Sequence, residues 1–107
     1  LPISALSEFD LLLTEALRTQ DPAPLVAKLE NKNSCLSLVQ HWQRRFHEIA
    51  VKNEAGKGVY HSWDATAALM KFEAALTLEG RLRSHANCGL LVENFIRNEF
   101  FTKGSPP

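Results

Sequence analysis

The stretch Arg81-Leu82-Arg83-Ser84-His85-Ala86-Asn87-Cys88-Gly89-Leu90-Leu91-Val92-Glu93-Asn94-Phe95-Ile96 reads as the end of one helix, a turn, and the start of another. Asn87 is an N-cap candidate: its side-chain oxygen can accept from the free backbone amides of the next turn, which opens a helix at Cys88 or Gly89. Leu91, Val92, Phe95, Ile96 and Phe100 then fall along one side of that helix, and Glu93, Asn94, Arg97 and Asn98 along the other. Glu93 and Arg97 form an i,i+4 pair.

Working back toward the N-terminus, helical spacing continues. Asp64 offers an N-cap for a long fourth helix marked by Ala65, Ala68, Leu69, Phe72, Ala75, Leu76 and Leu82, with Ala67, Ala68, Ala74 and Ala75 permitting close approach of a neighbour. Gly56-Lys57-Gly58 carries too much backbone entropy for a helix interior and predicts a loop up to Trp63. Ser34 caps a third helix running to about Lys52, with Leu38, Val39, Trp42, Phe46, Ile49 and Ala50 facing inward and Gln40, Arg44, His47 and Glu48 facing outward.

Before it, Asp21 as cap and Pro22 at the first helical position suit a short helix carrying Leu25, Val26 and Leu29, ended by Asn31-Lys32-Asn33. The first helix runs from about Ser4 to Thr19 on Leu6, Phe9, Leu13, Ala16 and Leu17. No alternating run bounded by turns suggests a strand, and no fixed period suggests a solenoid. The pattern predicts an all-α fold: a compact bundle of about five helices, one domain over residues 1–103, followed by a flexible tail at 104–107.

Composition bounds the function. At 107 residues with 45% apolar content, the chain supports one real core and not two ordinary domains. Twelve basic and twelve acidic residues leave no global field to draw it to nucleic acid or an anionic membrane. No apolar run approaches the roughly 20 residues that span a bilayer, and no signal-peptide layout opens the chain, so a cytoplasmic setting is the default expectation. Leu1 in place of an initiator Met and the closing Gly104-Ser105-Pro106-Pro107 read as a piece cut from a longer protein.

The chemistry-bearing residues do not assemble into a motif. His41, His47, His61 and His85 form no HxxxH and share no helical face with Cys35 or Cys88, so no metal is expected. Two cysteines without CxxC are no disulfide framework, and they are expected as free thiols. Cys88 at a helix start, three residues after His85, is either a depressed-pKa thiol or a small half-buried packing residue; no third orienting group accompanies it, which favours packing. Glu48, Glu54, Glu73 and Glu79 are spread over the pattern as solvated faces, not a paired acid and base. Gly56-Lys57-Gly58 lacks the spacing of a phosphate loop, so no nucleotide cofactor is expected.

Basic residues gather at Arg44-Arg45 with Lys52 and at Arg81, Arg83 and His85, which leaves direct DNA binding or a regulatory contact as the alternative function. A helix-turn-helix reader is disfavoured, because the helix after Asn87 offers apolar and acidic groups where base edges need donors. Phe100 and Phe101 are adjacent, and one helical face does not bury both, so one of them is expected to point outward as a contact for a neighbour or else to be covered by the tail or the first helix. Trp63 poses the same choice, with a staple at the entry of the fourth helix as its other role. Arg44, Arg45, Phe100 and Phe101 are therefore the expected interface residues.

Asn87, Leu90, Leu91 and Glu93, continued by Phe95 and Ile96, resemble the last helix of the delta-prime subunit of the bacterial DNA polymerase III clamp loader. In that family an Asn leads after two or three residues into aliphatic-aliphatic-x-Glu, and many members place Pro where this chain has Cys88. A second patch, the aromatic-rich Leu38 to Ala50 with Glu48-Ile49-Ala50 and Gly56, is similar to another segment of the family, and the two patches span about Leu38 to Phe101. The resemblance implies the C-terminal collar domain: a non-catalytic helical module that packs beside the equivalent domains of the other clamp-loader subunits in a pentameric ring. It further implies no ATP site here, a zinc module only in a part this chain lacks, and a role in placing the sliding clamp on primed DNA.

Overall fold

The computed structural model describes residues 3–52, 63–84 and 87–101, with side chains from residue 8 onward. Helix α1 (Ile3–Thr19) ends because Gln20 turns into the left-handed region at φ 60°, which lets the Asp21 amide reach back to the Ala16 carbonyl at 3.1 Å. Helix α2 (Ala23–Ala27) starts one residue later than expected at Pro22, and the Asp21 Oδ1 accepts from the Ala23 amide at 3.1 Å. Leu25 is buried, while Val26 and Leu29 are half-buried.

Helix α3 (Lys32–Lys52) is capped by Asn31, whose Oδ1 accepts from the Ser34 amide at 2.9 Å; Ser34, the expected cap, lies inside the helix. Asn and Ser cap about equally well. Cys35 joins the inward stripe, which runs unbroken through Cys35, Leu38, Val39, Trp42, Phe46 and Ile49. Helix α4 (Ala65–Ser84) is capped as expected: the Asp64 Oδ1 accepts from the Ala67 amide at 2.8 Å. Helix α5 (Cys88–Phe95) opens on Asn87, whose Oδ1 accepts from the Leu90 amide at 3.2 Å. It runs into a π-helical turn, Ile96–Phe100. The fold is thus an all-α bundle of five helices, with no strand among the described residues. The expected glycine break at Gly56-Lys57-Gly58, the patch residues Tyr60 and His61, His85 and the 104–107 tail lie outside the described residues, as does the Leu6 side chain.

The broadest helix pairing is α3 against α4. Its centre is aromatic. Trp42 is fully buried, with the Phe95 ring stacked at 5.3 Å and the Phe100 ring tilted against it at 5.1 Å. Phe46 and Trp63 extend the group, each within 5.9 Å of Phe100. The π turn makes this possible. Residues five apart diverge around an α-helix, whereas an i→i+5 ladder brings them to one side. The Phe101 amide bonds the Ile96 carbonyl at 3.1 Å in that longer register, so Phe95, Ile96 and Phe100 are all buried.

Polar ties cross between helices. Glu79 on α4 accepts from Gln43 at 2.8 Å and Gln40 at 3.3 Å, both on α3, and from Arg83 one turn on at 2.6 Å. Gln40 is therefore half-buried where an outward position was expected, and Glu79 is a bonded hub instead of a solvated face. His41 Nε2 meets the Asp10 carboxylate at 3.2 Å and binds α3 to α1. Lys71 donates to the Glu99 carbonyl at 2.6 Å and lies 4.9 Å from the centre of the Trp63 ring, which pins the π turn to α4.

Candidate interaction surface

Helix α4 carries apolar residues on two sides. Its inner side buries Ala68, Ala75, Leu78 and Leu82 against α3 and α5, and small alanines there let the helices approach closely. Leu69 and Leu76, which mark the helix in the sequence, are exposed, at 49% and 46%, with Met70 at 66%. Leu78 takes the inner position. Leu69, Glu73, Leu76 and Gly80 recur at three- and four-residue steps, so they form one outward stripe flanked by Met70. Gly80 on this stripe has nothing within 4 Å of where a Cβ would sit, so the backbone itself is open to close approach.

Beside the stripe, a cleft of about 260 Å³ lies between α4 and the α5 region, with Ala74, Leu78, Leu91 and Phe95 as apolar lining and Thr77, Arg81, Asn94, Asn98 and Glu99 as polar lining. Arg81 and Glu73 have no side-chain partner among the described residues. Leu91 lines this cleft half-buried, and Leu90 is 49% exposed. Glu93 pairs with Arg97 at 3.2 Å, as its i,i+4 spacing predicts.

The expected interface aromatics are placed differently. Phe100 is buried at 7% in the aromatic centre, because the π turn rotates it inward, so it is not the outward member of the Phe100–Phe101 pair. Phe101 is half-buried against the core, where the backbone leaves the turn in an extended conformation, and Trp63 is half-buried against Phe46 and Phe100. Arg44 is exposed and free of ion pairs among the described residues, whereas Arg45 bonds Glu48 at 3.0 Å and Arg83 bonds Glu79. Two of the four clustered arginines thus have their charge matched within the domain.

Cys88 is buried at 7% and its Sγ donates to the Leu82 carbonyl at 3.9 Å, the packing role weighed above. Cys35 lines the same cleft as Cys88; burial and then Cys88 push the Cys35 thiol up to about 11. This adjacency was invisible in the sequence. No group of three or more His, Cys, Asp or Glu side chains is placed to hold a metal among the described residues, and no described helix is long and apolar enough to cross a membrane.

The fold and its surface define a class: a small helical bundle whose α4 leaves an apolar stripe exposed among the described residues. No family model, curated protein or solved structure matches the chain.

Proposed function

We propose that the chain is a non-catalytic assembly module, the collar-type domain of a bacterial clamp-loader delta-prime subunit, working through contact with the C-terminal helical domains of the other subunits. The observation that carries the assembly reading is the second apolar side of α4: Leu69, Met70 and Leu76 exposed along one stripe, with the open backbone at Gly80 in line. A contiguous exposed apolar patch on a helix marks a protein contact far more often than scattered single residues do. Glu73 on the same stripe and Arg81 at its border, with no side-chain partner among the described residues, give such a contact its charge register.

The clamp-loader assignment rests on the resemblance of Asn87, Leu90, Leu91 and Glu93. These residues behave as a structural signature: Asn87 caps α5, Leu91 lines the α4–α5 cleft and Glu93 binds Arg97. Direct DNA binding is the weaker reading, since Arg45 and Arg83 are matched by carboxylates. Mixing the chain with the C-terminal domains of the other clamp-loader subunits and following co-elution by size exclusion tests the proposal. A shared peak at tens of micromolar supports it; independent elution at every concentration, together with a salt-sensitive shift of a primed duplex, replaces it with the DNA-binding reading.

A further inference from the structure

Cys35, in the first turns of α3, and Cys88, the first residue of α5, are far apart in sequence and adjacent in the fold. Both line the same cleft, and the Cys88 thiol helps to raise the Cys35 thiol pKa. The Cys88 Sγ donates to the Leu82 carbonyl near the end of α4 at 3.9 Å. Both cysteines line one cleft of about 200 Å³ rimmed by Glu30, Asn31, Lys32 and Asn87, which has room for several water-sized molecules although neither side chain is open to a large reagent.

We propose that Cys35 and Cys88 are a paired-thiol oxidation site, which a small hydroperoxide entering this cleft converts to an intramolecular disulfide that staples the start of α5 to the start of α3. Cys88, the less covered of the two, reacts first: its sulfur attacks a peroxide oxygen as the thiolate, an S–O bond forms, the O–O bond breaks, and the departing hydroxide takes the thiol proton as water. The Cys35 sulfur then attacks the sulfenic sulfur; the S–S bond forms, the S–O bond breaks, and a second water leaves with the Cys35 proton. Two thiols lose two electrons and two protons, and hydrogen peroxide is reduced to two waters. Because the Cys35 thiol ionises only near 11, the closing step speeds up with rising pH through the neutral and mildly alkaline range. The cross-link spans the chain between α3 and α5, so it restricts the unfolded state and raises the melting temperature.

The test treats the folded 107-residue chain with hydrogen peroxide at mildly alkaline pH, blocks remaining thiols with an alkylating maleimide, and reads mass and peptides without reduction. The expected result is loss of two hydrogens per chain, no alkylation, a Cys35–Cys88 linked peptide, a melting temperature higher by at least about 5 °C, and full reversal by dithiothreitol. Cys88→Ser should abolish the linked peptide. If that variant fails to fold, the peptide map of the unaltered chain still decides the matter. Sulfinic acid on either cysteine, linkage only between separate chains, or a linked peptide that forms only after denaturation would each overturn the proposal.

Discussion

Trp42 sits at zero exposure between two phenylalanines, yet its indole Nε1 has no hydrogen-bond partner among the described residues. Its ring is worth much and its donor is a cost. Trp42→Ala should therefore destabilise by about 3–5 kcal/mol in urea unfolding. Trp42→Phe gives up part of the ring but removes an orphan donor worth about 1–3 kcal/mol, so its net change should stay within about 1.5 kcal/mol. Glu79 makes the pH prediction. Hydrogen bonds from Gln43 and then Arg83 hold its carboxyl below the ordinary value of 4.5, so the unfolded chain binds this proton at higher pH than the folded one. The stability it supplies is present in full above that ordinary range and is lost as pH falls through the lowered folded value. Melting temperature should fall on acidification below about pH 4.5 in the unaltered chain and fall less steeply in Glu79→Gln. Cys35 acts at the other end, in the opposite sense: its raised value means stability is lost as pH climbs from 9.0 to about 11.

The helices show which signals travel through sequence. Asn87 and Asp64 were legible as caps because a cap is a local bond within three residues, and Asn87→Ala should cost about 1 kcal/mol in denaturant unfolding. Ser34 is the cap read from sequence and Asn31 is the one used; the two residue types cap about equally well, so capping chemistry alone does not separate them. Helix α4 shows no single inward face in sequence for a physical reason: apolar residues lie on two sides, so Leu69 and Leu76 mark the helix as strongly as Ala68 and Ala75, and packing alone sends Ala68, Ala75, Leu78 and Leu82 inward. The π turn had no local sign either. Its longer register is stabilised by Trp42 stacking with Phe95 and Phe100 and by Lys71 bonding the Glu99 carbonyl, all tertiary contacts. Lys71→Met should accordingly cost about 2 kcal/mol and speed amide exchange in residues 96–101 more than in α3, as read by hydrogen–deuterium exchange.

For the whole molecule, class and helix number followed from spacing, while the features that bear on function needed the three-dimensional pairing of α4 with α3 and α5. The Gln40–Glu79–Gln43 tie, the inward Phe100 and the Cys35–Cys88 adjacency all join residues on different helices, and no single-chain pattern reports such distances. The same pairing leaves Leu69, Met70 and Leu76 outside the core, where substitution to lysine should change stability by no more than about 0.5 kcal/mol. That separation of folding from contact makes the central claim testable without loss of the domain. The decisive measurement is the light-scattering mass of the complex formed with the other clamp-loader C-terminal domains, for the unaltered chain and for Leu69→Lys with Leu76→Lys. The account predicts a stable higher mass for the first and separate components for the second at equal helicity. A complex of undiminished mass with both lysines in place, or none with the unaltered chain, would contradict it.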